Sequence, residues 1–133
     1  RYQDSYGQWS AYSPETSFKT GSTTVVPSVV QPVNVSPFNG AVEISPDQKL
    51  GASAFQSTVG RIHLASRWQI ARAGANEQDA NGSYVQPIFD STVDFQNKTQ
   101  IAMPVGLVDY GKTYYWHVKY QDNTGAWSAW SRQ

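Results

Sequence analysis

The sequence contains no cysteine, and this absence excludes disulfide bonds, thiolate metal sites and cysteine nucleophiles. It also lacks an apolar run approaching the ~20 residues of a membrane-spanning helix, which argues against membrane insertion. An excess of either charge is missing too, because ten lysine and arginine residues balance ten aspartate and glutamate residues. A neutral chain without a basic stretch argues against nucleic acid or anionic lipid as a partner.

Aromatic residues, by contrast, are abundant, with five tryptophans and eight tyrosines among 133 residues. Aromatic side chains favour β-strands and bury a large area each, so the composition predicts β structure. The length suits one domain, which can bury a hydrophobic core without a metal or a disulfide. Because the chain opens on Arg1 rather than methionine, we expect it to be a piece of a longer protein.

Two segments near the ends of the chain have nearly the same sequence. Residues 1–13 read Arg-Tyr-Gln-Asp-Ser-Tyr-Gly-Gln-Trp-Ser-Ala-Tyr-Ser, and residues 119–131 read Lys-Tyr-Gln-Asp-Asn-Thr-Gly-Ala-Trp-Ser-Ala-Trp-Ser. Eight of the thirteen positions are identical, and the residue numbers differ by 118. Two similar hairpins inside one domain would explain this, but a tandem array with a period near 118 residues explains it better.

The repeat divides the chain into three parts. Residues 1–20 are interpreted as the C-terminal strands of a preceding repeat, and residues 21–32 as a semi-extended linker with Val-Pro and Gln-Pro steps. Residues 33–133 form the second unit. The first copy continues past its Trp-Ser motif into residues 14–20, whereas the second has no counterpart, so we expect the 33–133 unit to lack its own last strand.

Within the second unit, short alternating segments between turns predict strands, and no segment has a sustained helical period. The predicted strands are residues 33–36, 49–55, 65–73, 84–89, 99–103 and 114–120. Their alternation predicts a shared core of Leu50, Trp68, Ile70, Tyr114, Trp116 and Val118. Short strands at regular spacing are typical of a β-sandwich.

Residues 106–118 and the tryptophan motif after them resemble a known family. In Gly-Leu-Val-Asp-Tyr-Gly-Lys-Thr-Tyr-Tyr-Trp-His-Val, the residues Leu107, Gly111 and Tyr114 are similar to the fibronectin type III signature around its sixth strand. Residues 127–131, Trp-Ser-Ala-Trp-Ser, resemble the Trp-Ser-x-Trp-Ser motif of cytokine-receptor fibronectin domains. The resemblance implies an all-β fold, a fibronectin type III/immunoglobulin-like seven-stranded β-sandwich, in which the Tyr114 hydroxyl bonds back to the backbone near the turn.

The resemblance also implies a ladder, in which cationic side chains of the sixth strand lie between the tryptophans of the motif. We expect two such sets. His117 lies on the same face of its strand as Lys119, the cation of one set. The two sets are Lys119 with Trp127 and Trp130, and Arg1 with Trp9 and Tyr12. A structural role is the first interpretation, since cation–π contacts contribute on the order of 0.5–1 kcal/mol each when exposed. A sugar-binding aromatic platform is the alternative, because tryptophan faces stack on sugar rings.

Acidic turns raise the question of calcium, which needs six to eight oxygen ligands. Asp122 and its copy Asp4 each supply one carboxylate in a four-residue turn, which is too few. One polar loop is richer in oxygen but ends on an Asn-Gly turn signal. Its residues are Asn76, Glu77, Asp79 and Asn81. We therefore predict hairpin turns and no metal site.

No catalytic constellation is recognisable. His63 and His117 are the only histidines, and neither has a paired nucleophile at a suggestive spacing. Asp90 and Asp94 could be called a carboxylate pair, but no partner pattern surrounds them. We predict neither an enzyme nor a cofactor.

The expected function is a non-catalytic structural or spacer module, or an adhesion module, of an extracellular or cell-surface repeat protein. Runs of Tyr-Gln-Asp, Gly and Trp-Ser are similar to those of secreted bacterial proteins with repeated fibronectin-like units, and the lack of cysteine favours such a source. The expected partners are neighbouring copies of the same repeat. The alternative is a carbohydrate-binding module of a secreted enzyme, with exposed tryptophans and a carbohydrate partner.

A missing seventh strand would leave an open edge, and open edges recruit partners. The donor is expected to be Ser17, Phe18 and Lys19, which take the place of the seventh strand in the first copy. They would pair with the 114–120 strand of a 33–133 unit, with Phe18 on the core side. The pairing could form within one chain, or between chains as strand donation that builds a filament.

Overall fold

The structure, a computed structural model, describes residues 1–21 and 26–133, and the regular elements within them are all β-strands. The strands are β1 (Asn34–Ser36), β2 (Lys49–Ala52), β3 (His63–Arg72), β4 (Phe89–Asp90), β5 (Gln100–Ala102) and β6 (Tyr114–Asp122). The all-β prediction is therefore confirmed for the described residues, which hold six strands.

The strands form two antiparallel sheets of three strands, in the orders β1-β2-β5 and β4-β3-β6. β3 and β6 form the longest pair, with Trp68 opposite Val118 and Ile70 opposite Trp116. Two sheets of this kind fit a β-sandwich, in which the inner faces pack against each other.

The hydrophobic core lies between the two sheets, and four of the six residues predicted for it are buried there. Leu50 of β2 packs against Trp68 and Ile70 of β3 and Val118 of β6, all buried. Two further residues predicted for the core are partly buried against this cluster, namely Tyr114 and Trp116. Alternation along β3 and β6 predicts this face correctly because successive strand side chains point to opposite sides of a sheet.

One predicted strand is largely absent. Of residues 84–89, only the last belongs to a strand, β4. Val85 donates its N–H to the Glu77 carbonyl at 2.9 Å, and Tyr84 pairs with Gln78 in an isolated bridge, so this end of the segment folds back on its own loop. Pro87 then has no N–H to offer a neighbouring strand.

The predicted linker is also shorter than expected. Val29 is only 1% exposed and belongs to the core, and the Val30 N–H bonds to the Gln56 carbonyl at 3.0 Å. Residues 28–30 therefore pair with residues 56–58 in an isolated bridge outside the two sheets, and burial of the apolar Val29 side chain favours this position. Residues 22–25 of the predicted linker lie outside the described residues.

The approach to β6 contains the backbone bond expected for Tyr114. The Asp109 N–H donates to the Tyr114 hydroxyl oxygen at 3.0 Å. Gly111, between them, has a φ of 69°, a left-handed conformation that favours glycine. This bond ties the incoming loop to the start of β6.

Candidate functional site: a stacked ladder on β6

β6 continues into a tight turn at residues 122–125, and its end is held by one carboxylate. The Gly125 N–H donates to the Asp122 carbonyl at 3.0 Å, while Asp122 Oδ1 accepts the N–H groups of Thr124 at 2.8 Å and Ala126 at 3.1 Å. Gly125 has a φ of 90°, as this turn requires. The Thr124 hydroxyl also bonds to this carboxylate, and together these bonds lower the pKa of Asp122.

Beyond the turn, the two serines of residues 127–131 close the edge of β6. The Ser128 N–H donates to the Tyr120 carbonyl at 2.8 Å, and Ser128 Oγ accepts the Tyr120 N–H at 3.0 Å. Ser131 repeats both bonds with Val118, at 2.8 and 2.9 Å. Each serine hydroxyl thus accepts the N–H that a backbone carbonyl would accept in a regular strand. As a result, the three-residue step from Ser128 to Ser131 spans the two-residue step from Tyr120 to Val118. The segment is therefore not a regular strand.

That spacing decides where the tryptophans point. In a regular strand, Trp127 and Trp130 would point to opposite faces, because strand side chains alternate. Here both contact Lys119, so both lie over the outer face of β6.

The outer face of β6 carries a stack of alternating side chains, called the ladder below. Its members are Tyr84, His117, Trp130, Lys119 and Trp127. The rings of Tyr84 and His117 are 3.9 Å apart and nearly parallel, and those of His117 and Trp130 are 4.0 Å apart. Lys119 Nζ lies 4.7 Å from the Trp130 ring centroid and 4.9 Å from that of Trp127. The structure thus brings together the three residues predicted from the motif and His117, which sequence analysis placed on the same face of the strand, and it adds Tyr84.

Three members of the ladder are closed to a ligand, whereas Lys119 and Trp127 are half-buried. His117 is fully buried, Tyr84 is 3% exposed and Trp130 is 7% exposed. One face of Trp130 lies against His117, and its ring also contacts Lys119. Little of the Trp130 ring is left for stacking on a sugar.

Polar groups beside the ladder form a chain of hydrogen bonds. His117 Nε2 lies 2.9 Å from Gln69 Oε1, and Gln69 Nε2 donates to Asp90 Oδ2 at 2.7 Å. Arg67 donates to both oxygens of Asp90, at 2.9 and 2.6 Å. Because Gln69 Oε1 can only accept, His117 carries its proton on Nε2. Its buried Nδ1 has no hydrogen-bond partner among the described residues.

Burial sets the charge of these groups. It lowers the pKa of His117 to about 3, with the nearby Lys119 ammonium as a further cause, so this imidazole is neutral near pH 7. Burial and repulsion from Arg67 also lower the pKa of Lys119. Burial by itself would raise the pKa of Asp90, but the bonds from Arg67 and Gln69 outweigh it and lower that pKa to about 2.

The N-terminal hairpin, residues 1–13, repeats the same local bonds. Asp4 Oδ1 accepts the N–H groups of Tyr6 at 2.9 Å and Gln8 at 2.8 Å. The Ser10 N–H donates to the Tyr2 carbonyl at 2.8 Å, and Ser10 Oγ accepts the Tyr2 N–H at 2.9 Å. These match the bonds of Asp122 and Ser128 one for one.

The predicted upstream set also comes together. The Arg1 guanidinium carbon lies 4.5 Å from the Trp9 ring centroid and 4.7 Å from that of Tyr12. Every residue of 1–21 is exposed, however, including Trp9 at 53% and Tyr12 at 74%. This second set has the contacts of the ladder without its burial.

A third copy of the turn, which sequence analysis missed, holds Tyr84 in the ladder. Residues 78–84, Gln-Asp-Ala-Asn-Gly-Ser-Tyr, share the pattern Gln-Asp-x-x-Gly-x-aromatic with both hairpins. Asp79 Oδ1 accepts the N–H groups of Asn81 at 2.8 Å and Ser83 at 2.9 Å, and the Gly82 N–H donates to the Asp79 carbonyl at 2.9 Å. A search for this seven-residue pattern, instead of the longer repeat, would have found it.

The third turn also gives the acidic loop its role. Asp79 serves as the cap of the turn, like Asp122 and Asp4, so the oxygen-rich loop is explained without a cation. Gly82 has a φ of 78°, and a Cβ atom there would lie 3.0 Å from Trp130 Cδ1. The turn therefore packs tightly against the edge of the ladder.

The predicted strand donor is not paired in this chain. Ser17, Phe18 and Lys19 are exposed, Phe18 by 89%. The 118–120 part of the predicted acceptor edge is already bonded to Ser128 and Ser131. The expected acceptor was the whole 114–120 strand, but only the start of β6 remains available for a further strand.

The remaining acidic and histidine candidates have structural partners. Asp90 bonds to Arg67, and Asp94 accepts N–H groups within its own loop. His63 stacks on Phe55 with ring centroids 4.7 Å apart. His63 Nε2 also lies 3.0 Å from Ser66 Oγ, and the hydroxyl of this fully buried serine donates to the Lys98 carbonyl. These contacts hold loops and strands together.

Comparisons with protein-family models, with curated proteins and with solved structures found no match for this chain. Within residues 1–21 and 26–133, no group of three or more acidic or histidine side chains is placed to hold a metal ion. The same residues include no helix long and apolar enough to cross a membrane.

Proposed function

We propose that the chain is a non-catalytic structural module, a spacer or adhesion unit, of an extracellular repeat protein. The observation that carries this proposal is the stacked ladder. The cationic and aromatic residues most suited to bind a ligand are stacked on one another, with His117 fully buried and Trp130 only 7% exposed. Side chains used in this way stabilise a fold.

The position of the ladder suits a spacer. In the first copy of the repeat, the hairpin is followed by residues 14–32, which lead into the next unit. The ladder and the two serine-to-strand contacts therefore anchor the chain just before it leaves the domain. Tension along an array of such units would act at this point, and the stacked side chains would resist peeling of the last segment from β6.

The resemblance to fibronectin type III domains supports the same function. The two three-stranded sheets and the bond between Asp109 and Tyr114 agree with that type of sandwich. Its seventh strand would continue from residues 127–133 along β6. Secretion and a bacterial origin rest on the resemblance and on the lack of cysteine.

A carbohydrate-binding module is the second candidate, and the N-terminal hairpin favours it. Four aromatic rings are exposed there by more than half, which is unusual for a surface hairpin. They are Tyr2, Tyr6, Trp9 and Tyr12. Such rings offer the open faces that the buried rings of the ladder lack.

Binding of the full chain to polysaccharides separates the two candidates. We expect no saturable binding to insoluble cellulose or chitin in pull-down assays, and no heat of binding with their soluble oligosaccharides. Trp9→Ala and the ring-preserving Trp9→Phe serve as a matched pair. Saturable binding that Trp9→Ala abolishes and Trp9→Phe retains would overturn the structural proposal in favour of carbohydrate binding.

A further inference from the structure

The chain contains two Asn-Gly pairs, Asn39-Gly40 and Asn81-Gly82, and each lies in a tight turn. Asparagine is a chemically labile residue, and it is most labile before glycine, because glycine presents an unhindered backbone nitrogen to the asparagine side chain. Since the two pairs share the same dipeptide, a large difference between their reactivities has to come from the fold.

The reaction that removes the amide takes place between the asparagine side chain and the next peptide nitrogen. The glycine nitrogen attacks Cγ of the asparagine and forms a bond to it, the Cγ–Nδ2 bond breaks, and ammonia leaves with the proton given up by the glycine N–H. Water then opens the cyclic imide at either carbonyl, which leaves aspartate or isoaspartate. The attack requires a glycine N–H that no acceptor holds and a peptide unit that is free to rotate.

The pair in the third turn meets neither requirement. The Gly82 N–H donates to the Asp79 carbonyl at 2.9 Å, and the Asn81 N–H donates to Asp79 Oδ1 at 2.8 Å. A Cβ atom at Gly82 would lie 3.0 Å from Trp130 Cδ1, so this glycine packs closely against the ladder. The glycine nitrogen can attack only after the turn has opened and moved away from the Trp130 ring.

The pair in the β1–β2 connection meets both requirements. Its turn is closed by the Ala41 N–H, which donates to the Phe38 carbonyl at 3.0 Å and leaves the Gly40 N–H unused. Among the described residues, no acceptor bonds to that N–H. Asn39 and Gly40 are both exposed, and a Cβ atom at Gly40 would have no neighbour within 4 Å. Rotation of this peptide unit therefore disturbs one exposed turn and no side-chain packing.

We propose that Asn39 is a site of spontaneous modification, at which the Gly40 nitrogen displaces the Asn39 amide, while the fold protects Asn81. The modified chain carries one more negative charge, and an unmodified chain has a formal net charge of zero. The new carboxylate joins Glu43 and Asp47 in the same connection. Isoaspartate also adds one carbon to the main chain, so it changes the geometry of the 38–41 turn. This site goes beyond the proposed structural role and does not depend on it.

Ageing of the folded chain in mildly alkaline buffer tests the proposal. Trypsin places the two pairs in separate peptides, residues 20–49 and residues 73–98, and fragment mass spectra locate the converted position within each. We expect position 39 to lose its amide faster than position 81 by about tenfold or more, because opening the third turn breaks at least one hydrogen bond and its packing on Trp130. Ion-exchange chromatography follows the added charge on the intact chain.

Three controls separate the fold from the local sequence. In urea, where the turns are absent, the two pairs are expected to react at nearly the same rate. Asn39→Gln is the matched variant, because its longer side chain would have to close a larger ring, and it is expected to abolish the early charge change. Asp79→Ala removes the cap of the third turn, so it is expected to speed the loss at Asn81 and to leave position 39 unaffected. Circular dichroism checks that both variants remain folded.

Two results would overturn the proposal. One is equal loss at the two positions of the folded chain, or faster loss at Asn81, since the hydrogen bond and packing of Gly82 would then give no protection. The other is a folded chain that keeps both amides for a period in which the chain in urea loses both, since the turn at Asn39 would then be as protective as the third turn. Neither result bears on the structural role of the module, which saturable carbohydrate binding would overturn instead.

Discussion

The hairpins at residues 1–13 and 119–131 have nearly the same sequence and the same local hydrogen bonds, but different surroundings. In both, an aspartate caps the turn, a serine bonds twice to the opposite tyrosine, and a cation contacts two aromatic rings. The C-terminal hairpin lies against Tyr84, His117 and the β3–β6 pair, whereas every residue of the N-terminal hairpin is exposed.

The comparison separates two causes of hairpin structure, namely hydrogen bonds within the hairpin and packing against the rest of the domain. Bonds inside the hairpin shape the turn in both copies and need no help from the rest of the domain. The stacking on Tyr84 and His117 requires side chains from distant parts of the chain, and only the second copy has them. We therefore expect equivalent substitutions to have unequal effects in the two hairpins.

The largest difference is expected at the second aromatic position. Trp130→Ala removes a ring that is 7% exposed, and large-to-small substitutions of this kind cost about 3–5 kcal/mol. The equivalent Tyr12→Ala removes an exposed ring and should cost under about 0.5 kcal/mol. Urea unfolding of both variants, followed by circular dichroism, measures the two free energies. Equal losses would contradict the division between buried and exposed copies.

A second difference is expected in the dependence on pH. His117 is neutral in the fold because burial lowers its pKa to about 3, whereas in the unfolded chain it titrates near its ordinary value. The unfolded state therefore binds more protons between these values, and stability falls as the pH drops from about 6.5 towards 3. At pH 5 the loss due to His117 is roughly 2 kcal/mol relative to pH 7.5.

His117→Gln isolates this contribution. The variant keeps a polar group beside Gln69 but has no group that titrates in this range, so its free energy of unfolding should vary less between pH 7.5 and 5. His63, whose pKa burial also lowers, is present in both proteins and cancels from the difference. If the free energy of unfolding varied equally with pH in both proteins, the ladder would not exclude the protonated imidazole.

A third difference concerns the turn glycines. Gly7 and Gly82 have φ values of 81° and 78°, so alanine at either position costs about 1–2 kcal/mol in its own turn. Only at Gly82 does a Cβ atom also meet Trp130, at 3.0 Å, whereas the nearest contact at Gly7 is Gln3 Nε2 at 3.7 Å. Gly82→Ala should lower the melting temperature of the domain, and Gly7→Ala should leave it unchanged. A reversed order would refute tight packing of the third turn on the ladder.

The smallest difference is expected for the cations. Lys119→Gln removes a half-buried ammonium from between two rings and should cost about 0.5–1 kcal/mol of global stability. Arg1→Gln removes the equivalent contact in an exposed hairpin, so it should alter only the local chemical shifts of Trp9 and Tyr12. Chemical denaturation and proton NMR distinguish these outcomes, and a global loss with Arg1→Gln would show that the first hairpin is coupled to the domain.

Much of the fold could be predicted from the sequence, because its signals are local. Alternation over β3 and β6 identifies Trp68, Ile70 and Val118 as core residues, since side chains of a strand alternate whatever it pairs with. The segment around Tyr84 could not be read in this way. This segment bonds to residues 77 and 78 and contacts His117, and these interactions replace the backbone hydrogen bonds that an ordinary strand makes with its neighbours.

Part of the site could also be predicted, because its signals are local in the sequence. Lys119, Trp127 and Trp130 lie close in sequence and belong to a recognisable motif, so their contact could be expected. Tyr84 and His117 join them from a loop and from the buried part of β6. Nothing near Tyr84 in the sequence indicates that its ring will lie 3.9 Å from His117, although the third Gln-Asp-x-x-Gly-x-aromatic pattern could have indicated its turn.

The sequence by itself determined the turns and the two-residue alternation, because both depend on bonds and side-chain directions within a few neighbouring residues. The tertiary structure alone decided which hairpin became buried. Tyr84, His117 and Trp130 stack only because the pairing of β3 with β6 and the serine contacts to β6 bring distant segments to one face. The N-terminal hairpin has the same local order, but it remains exposed because no sheet lies against it among the described residues.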